Sequence, residues 1–199
     1  MVETTIVIQA GGKSSRMGRD KGLVSFGKGT LLEFILAQVE DISKEKFIIS
    51  NNLEAYSGFG LPVYPDVIPE IGALGGVYSA LYHAKTDNIL LLAVDMPFVN
   101  QDLIRYLLRL AEDADVVIPR MAGTGYLEPF RAIYSRRCLE PIKQMIDAGE
   151  RKVISFFDLV KVRNVEQEEI AQYDPEGKTF MNVNTPQELE NALKLLEES

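Results

Sequence analysis

The chain has 199 residues, of which 46% are hydrophobic and 25% are charged, a size and composition typical of one globular domain. Its formal net charge of −8 argues against a nucleic-acid partner, because proteins that bind nucleic acids need a basic surface. The sequence lacks the pattern of a signal peptide, and its longest apolar run, residues 89–94, is too short to span a bilayer. We therefore expect a cytoplasmic protein with no membrane partner.

The first half of the chain alternates between predicted strands and helices. A buried strand is predicted at residues 4–8, where every position is β-branched, and a glycine-containing loop follows it directly. Thr30 is a candidate N-cap for a helix over residues 31–39, whose apolar positions recur at spacings of three and four. Residues 47–49 predict a second buried strand, and residues 63–64 a short third one.

The alternation continues to residue 118. After the segment 72–76, a helix is predicted over residues 77–84, and the most hydrophobic strand follows at 89–94. A helix over 101–110 and a strand over 116–118 complete this half. Such alternation favours parallel strands joined by right-handed crossovers. We predict a single-domain, three-layer α/β fold with a mostly parallel central sheet and helices on both faces.

Beyond residue 119 the pattern is weaker. Strands are predicted at 127–134 and 160–165, and a helix at 136–148. A final helix over 187–196 follows Thr185 and Pro186, which suit the N-cap and the first helical position. Asn182 and Asn184 alternate around Val183, so on an extended strand both would point to the same face.

In open α/β sheets, ligands bind beyond the carboxyl ends of the strands. The polar residues that follow the predicted strands are therefore the candidates for a binding site. They lie in the loop 11–21, at Asn51 and Asn52, at Asp66, at Asp95, and at Asn182 and Asn184.

The loop after the first strand carries an excess of positive charge. Between positions 13 and 28 there are five basic residues and one acid: Lys13, Arg16, Arg19, Lys21, Lys28 and Asp20. A Walker-type P-loop would need glycine where Val7 stands, and the spacing G-x-G-x-x-G of dinucleotide-binding loops is absent. Gly11 and Gly12 would let backbone N–H groups approach phosphates. The loop therefore suits a small polyanion, with a solvated basic turn as the alternative.

Taken together, the motifs of the chain resemble the molybdenum cofactor guanylyltransferase family, within the wider group of Rossmann-like nucleotidyltransferases. The resemblance covers nearly the whole chain. The matching segments are Gln9-Ala10-Gly11-Gly12, Arg16-Met17-Gly18, Asp20-Lys21, Gly72-Ala73-Leu74-Gly75-Gly76, Asp95-Met96-Pro97-Phe98, Gly149-Glu150-Arg151 and Asn182-Val183-Asn184-Thr185-Pro186.

The resemblance implies transfer of GMP from GTP to the terminal phosphate of molybdenum-bound molybdopterin, with release of pyrophosphate. It implies a nucleotide-binding half over residues 1–119 and an acceptor-binding half over residues 120–199. Transient contacts with proteins that insert molybdenum, or with the target molybdoenzymes, would be consistent with this activity. The acceptor phosphate is already ionised and needs no general base, so the lone histidine, His83, is interpreted as structural.

The resemblance also assigns roles to particular residues. Arg16, Lys21 and Asp95 are the expected catalytic residues. Asp95, at the end of a buried strand, is the expected ligand of a magnesium ion (Mg2+), because Mg2+ prefers oxygen ligands. The expected GTP contacts are Gln9, Ala10, Gly11, Gly12, Lys21, Asn51, Asp66, Gly75 and Asp95.

Asn182 and Asn184 are assigned to the acceptor, because their amides can pair with a pterin edge and they lie far along the chain from the glycine-containing loop. A local turn is the alternative interpretation of this segment, as it is for Asp66. Asp95 could instead cap the next helix.

Other functions remain open at this point. One is a cytidylyltransferase, or another nucleotidyltransferase, that acts on a related phosphorylated acceptor. Another is a non-catalytic nucleotide-binding subunit, against which the presence of both Lys21 and Asp95 argues.

Overall fold

A seven-stranded sheet is the centre of the fold in the computed structural model, which describes residues 2–11, 20–121, 123 and 125–197. Its strand order is β5-β4-β1-β6-β8-β7-β9, and β2 and β3 form a separate hairpin. The strands are β1 (Thr4–Gln9), β2 (Ser25–Phe26), β3 (Gly29–Thr30), β4 (Lys46–Ile49), β5 (Val63–Tyr64), β6 (Asn88–Ala93), β7 (Val116–Pro119), β8 (Arg131–Ser135) and β9 (Val162–Val165).

Helices connect and cover these strands. They are α1 (Leu31–Gln38), α2 (Leu53–Tyr56), α3 (Ala73–His83), α4 (Gln101–Leu110), α5 (Leu139–Asp147), α6 (Gln167–Ile170) and α7 (Pro186–Glu197). Short 3₁₀ turns include Lys21–Leu23 and Lys178–Phe180. None of the helices in the described ranges combines the length and apolar character needed to cross a membrane.

The sheet is mostly parallel, as predicted. Within this sheet, β8 is the only described strand that runs antiparallel to its neighbours, β6 and β7. Because β8 lies between two strands of the first half, the segments before and after residue 119 share one sheet. This agrees with the predicted single domain, and the assignment of residues 1–119 to the nucleotide and 120–199 to the acceptor stays a prediction.

Side chains on the two faces of the sheet enter two different cores. On β1, Ile6 and Ile8 pack with residues of α1 and α4, whereas Val7 packs with residues of α3 and α5. All three are fully buried, as expected for a strand whose successive side chains point to opposite faces. This arrangement confirms the three-layer prediction.

The helix caps inferred from the sequence are also confirmed. Thr30 and Glu33 form a reciprocal capping box at the start of α1, with Glu33 N donating to Thr30 Oγ1 over 3.2 Å and Thr30 N donating to Glu33 Oε2 over 2.7 Å. At the start of α7, Glu188 N donates to Thr185 Oγ1 over 3.2 Å. Each cap satisfies backbone groups that a helix leaves unpaired at its first turn.

Helix α3 begins at Ala73, four residues before the predicted start. The prediction was wrong because glycines weaken helices, whereas here Gly75 and Gly76 lie in the first turns of α3. A Cβ at Gly76 would lie 2.8 Å from Gln9 Nε2, and one at Gly75 would lie 2.7 Å from Ile71 Cβ. Close packing against Ile71 favours glycine at position 75 despite its low helix propensity, whereas at Gly76 a small shift of the flexible end of Gln9 would relieve the contact.

One predicted strand also needs correction, and the extended strand considered for Asn182 and Asn184 does not form. Regular pairing of the 127–134 strand begins only at Arg131, preceded by an isolated bridge between Leu127 and Arg120; Pro129 interrupts it because proline lacks an N–H for the ladder. The segment 181–184 is not a strand. It follows the 3₁₀ turn Lys178–Phe180, and Val183 N donates to the carbonyl oxygen of Asp95, 2.7 Å away, rather than to a neighbouring strand.

Candidate functional site

A cleft of about 690 Å³ lies at the carboxyl ends of β1, β4 and β5, a volume within the range of small-molecule sites. We call it the sheet-edge cleft. Five of the predicted GTP contacts line it: Gln9, Ala10, Gly11, Asn51 and Asp66. The other lining residues are Asp20, Ser50, Asn52, Glu70, Gly72, Ala73 and Phe130. The topology thus brings together residues that follow three different strands.

Next to the cleft residue Asp20, three polar residues converge. The ammonium group of Lys21 donates to Asp95 Oδ2 over 3.0 Å and also to Asn184 Oδ1. The side chains of Lys21 and Asp95 remain 22% and 24% exposed, so solvent and ligands can reach them. We refer to these residues as the Lys21–Asp95–Asn184 cluster.

Buried groups fix the turn that carries Lys21. The hydroxyl of Tyr56, which is fully buried, donates to Asp20 Oδ1. Burial and the bond to the Asp20 carboxylate raise the pKa of Tyr56, so its hydroxyl stays a neutral donor. Gly22 allows this contact, because a Cβ there would lie 2.7 Å from the Tyr56 hydroxyl oxygen. The turn is therefore anchored on both sides of Lys21.

Asn184 is held by the first turn of α7. Its backbone N–H donates to Glu188 Oε2 over 2.8 Å, and Thr185 N donates to the same oxygen over 2.9 Å. The bond from Asn184 is the largest cause of a lowered pKa at Glu188, which keeps that carboxylate ionised. The cap of the last helix thus sets the position of Asn184.

Asp95 does not cap the following helix. The N-cap of α4 is Asn100, whose side chain accepts from Leu103 N over 2.9 Å. The capping alternative for Asp95 is therefore wrong, and its carboxylate instead meets Lys21.

Asn51 and Asp66 form a second polar group along the cleft. Asn51 Nδ2 donates to Asp66 Oδ2 over 2.8 Å, and Asp66 N donates to Asn51 Oδ1 over 3.0 Å. The other carboxylate oxygen, Asp66 Oδ1, has no hydrogen-bond partner within the described part of the chain. The pair links the segments that follow β4 and β5 and lines the cleft.

The remaining predicted site residues are Gly12, Arg16, Gly75 and Asn182. Gly12 and Arg16 lie outside the described residues. Gly75 is buried in α3, and Gly72 and Ala73 form the cleft wall from that segment. Asn182 is exposed, with its amide 3.5 Å from the carbonyl oxygen of Phe180. Because the segment is not a strand, the condition under which both asparagines would point to the same face is not met, and the structure places Asn184 in contact with Lys21.

Three structurally important residues were missed in the sequence, and two of them left a signal. Arg131 is the one charge in the stretch 129–134, and it is fully buried. Glu188 stands three residues after Thr185, the spacing of a capping box. Tyr56 was also missed, and its neighbours along the chain offered no comparable signal.

Asp95 is the residue of the cluster that could hold a metal ion. The described residues contain no group of three or more histidines, cysteines and acids that could bind a metal by themselves. Mg2+, however, commonly takes one or two protein carboxylates and completes its shell with substrate phosphates and water. The partly exposed carboxylate of Asp95 fits an ion of that kind.

His83 has a packing role. Its ring stacks on Tyr64 with centroids 4.2 Å apart, and burial lowers its pKa. This agrees with its interpretation as structural.

Comparison with known proteins identifies the family. The family model described as MobA-like NTP transferase domain matches residues 6–165. A probable molybdenum cofactor guanylyltransferase of Clostridium perfringens is 36% identical over 197 residues, covering 98% of each chain. A protein of the same description from Pelotomaculum thermopropionicum is 35% identical over 199 residues, covering 100% of this chain and 96% of the relative.

Solved structures share the fold. Molybdopterin-guanine dinucleotide biosynthesis protein A of Archaeoglobus fulgidus superposes with a TM-score of 0.83 at 22% identity, covering 98% of this chain and 100% of that one. The 2-C-methyl-D-erythritol 4-phosphate cytidylyltransferase of Thermus thermophilus gives a TM-score of 0.70 at 20% identity, covering 96% and 98%. The family match and the full-length relatives confirm the resemblance found in the motifs, and the chain belongs to the molybdenum cofactor guanylyltransferase family of MobA-like NTP transferases.

Proposed function

We propose that this chain transfers GMP from GTP to the terminal phosphate of Mo-molybdopterin, forming the molybdopterin guanine dinucleotide cofactor and releasing pyrophosphate. Full-length relatives described as guanylyltransferases support this reaction. The observation in the structure that carries the proposal is the convergence of Lys21, Asp95 and Asn184 next to Asp20 of the sheet-edge cleft.

The Lys21–Asp95–Asn184 cluster is the proposed triphosphate end of the site. The side-chain oxygens of Asp95 and Asn184 already orient the Lys21 ammonium. Its charge can therefore stabilise the phosphates without a prior reorientation of the Lys21 side chain. Asp95 would hold Mg2+. That ion, when bound, neutralises charge on the leaving pyrophosphate. Arg16, outside the described residues, remains a predicted second cation.

The Asn51–Asp66 pair is the proposed ribose and base end. The Asn51 side chain is exposed, and its amide keeps a second N–H and a second carbonyl lone pair beyond the two bonds to Asp66. Ala10 and Gly11 line the cleft between the two ends of the site. A nucleotide lying along the sheet edge would contact both groups.

Fewer contacts in the structure point to the residues that would bind the acceptor, Mo-molybdopterin. Asn182 remains a predicted acceptor residue because its exposed amide lies two positions from Asn184. Asn184 itself belongs with the proposed triphosphate end, since Lys21 donates to it. A cytoplasmic location and transient contacts with molybdenum-inserting or target proteins stay predictions.

Turnover with different nucleotides tests the proposal. We expect the protein to form a dinucleotide cofactor and pyrophosphate from Mo-molybdopterin, Mg2+ and GTP, with much lower turnover from CTP or ATP. The Lys21→Met variant is the matched control and should be nearly inactive. Equal or faster turnover with CTP would make the chain a cytidylyltransferase, and GTP binding without turnover would indicate a non-catalytic subunit.

A further inference from the structure

Arg131 is a buried charge at the edge of the sheet from which the site is built. It is the first residue of β8, has no exposed surface, and pairs in the sheet with Leu92 of β6. Asp95 leaves the same end of β6 three residues later. Arginine is almost never fully buried unless it is paired, so the contacts of this side chain need an explanation.

The guanidinium of Arg131 joins two segments of the site. Its Nη2 donates to the carbonyl oxygen of Met96 over 2.7 Å and to that of Thr179 over 3.1 Å. Met96 directly follows Asp95, and Thr179 begins the segment that leads to Asn184. A further link joins the same two segments, because Val183 N donates to the carbonyl oxygen of Asp95 over 2.7 Å.

Arg131 stays charged although it is buried. Burial lowers the pKa of the guanidinium to about 10, opposed by the carboxylates of Glu128, Asp95 and Asp174, so the group stays protonated at neutral pH. Asp174 also anchors the second segment, because its carboxylate accepts from Lys178 N over 3.1 Å and from Thr179 N over 2.8 Å. The Arg131 guanidinium thus contacts the segment that carries Asp95 and also the segment that leads to Asn184.

Stability alone does not account for an arginine at this position. Its Nε and Nη1 have no hydrogen-bond partner among the described residues, and unmade hydrogen bonds of a buried charge destabilise a fold. Replacing buried ionic groups by apolar side chains is often neutral or stabilising, and the next residues of β8, Ala132 and Ile133, are apolar and fully packed.

We infer that Arg131 is a positioning residue for nucleotidyl transfer: it ties the turn carrying Asp95 to the segment carrying Asn184, so that both side chains reach Lys21. This inference rests on the proposed function. It assigns Arg131 no contact with substrate. Its effect should appear in the catalytic step, because the Asn51–Asp66 pair that would bind the ribose and base is independent of it.

The test compares Arg131→Met, Arg131→Lys and the control Thr86→Val. The control removes a buried side-chain hydrogen bond of 2.8 Å between Thr5 and Thr86, away from the site. For folded Arg131→Met we expect kcat with GTP to fall about 10²-fold, the typical cost of a small misplacement of catalytic groups, while the Kd for GTP changes little. Arg131→Lys should recover part of kcat, and Thr86→Val should lose thermal stability but keep kcat.

Several results would overturn the inference. Unchanged kcat in folded Arg131→Met is one, and an equal loss of kcat in Thr86→Val is another. If Arg131→Met does not fold, Arg131→Lys decides. The lysine ammonium ends one atom short of the position of Arg131 Nη2, the nitrogen that donates to both carbonyls, so full kcat in this variant contradicts the inference and reduced kcat with unchanged GTP affinity supports it. Absence of GTP turnover in the unmodified protein would instead refute the proposed function, and the inference with it.

Discussion

The Lys21–Asp95–Asn184 cluster joins residues that are 74 and 163 positions apart, whereas the Asn51–Asp66 pair joins residues only 15 positions apart. The cluster needs the 3₁₀ turn Lys21–Leu23, the end of β6 and the start of α7 to come together. The pair needs only two neighbouring parallel strands, β4 and β5. One end of the site therefore depends on the whole fold, and the other on local chain geometry.

The two ends also differ in their electrostatics. The cluster pairs an ammonium with a carboxylate at partial burial, where charges interact more strongly than in bulk water. The Asn51–Asp66 pair is a charge-assisted hydrogen bond at an exposed position, where water screens it. We therefore expect variants of the cluster to change mainly the rate of the reaction, and variants of the pair to change mainly nucleotide affinity.

The largest effect is expected for Asp95→Asn. It preserves the size of the side chain but removes the carboxylate charge, and loss of a positioned electrostatic contact typically lowers turnover by about 10²-fold or more. Steady-state turnover with GTP and Mo-molybdopterin measures it, with the exposed Asp158→Asn as the matched control. Normal turnover by a folded Asp95→Asn protein would remove Asp95 from the mechanism.

Smaller effects are expected for alanine variants of Asn184 and Asn182, and the two variants should change different kinetic parameters. Asn184→Ala removes an acceptor from the Lys21 ammonium, and a hydrogen bond to a charged group contributes about 1.5–3 kcal/mol, so kcat should fall roughly 10-fold or more. Asn182→Ala should leave kcat unchanged and raise the KM for the acceptor. The two parameters are measured for each single variant.

The opposite pattern would contradict this division. A loss of kcat in Asn182→Ala with normal kcat in Asn184→Ala would show that the contact between Asn184 and Lys21 does not operate in the reaction.

Much of the fold was predictable because its signals are local. The β-branched run of β1, the capping pair Thr30 and Glu33, and the proline at the first position of α7 each act over a few residues. Asp95 was placed correctly because the strand before it is continuously apolar, and the carboxyl end of such a strand lies at the ligand-binding edge of a sheet. The same rule located Asn51 and Asp66.

The unpredicted features depend on contacts between distant segments. Asn184 was assigned to the acceptor together with Asn182 because of its amide and its distance along the chain from the glycine-containing loop, but contacts with Arg131 and the carbonyl of Asp95 hold this segment where Asn184 meets Lys21. The burial of Arg131 follows from the insertion of β8 between β6 and β7, and no local pattern specifies that order.

The most direct test of the central claim is a crystal structure with GTP and Mn2+ in place of Mg2+, in which anomalous scattering locates the metal. We expect a metal peak at ligand distance, about 2 Å, from the Asp95 carboxylate. The Lys21 ammonium should contact the triphosphate, and the guanosine should contact the Asn51–Asp66 pair. A triphosphate bound away from Lys21 and Asp95, or a guanosine at the opposite end of the sheet-edge cleft, would contradict it.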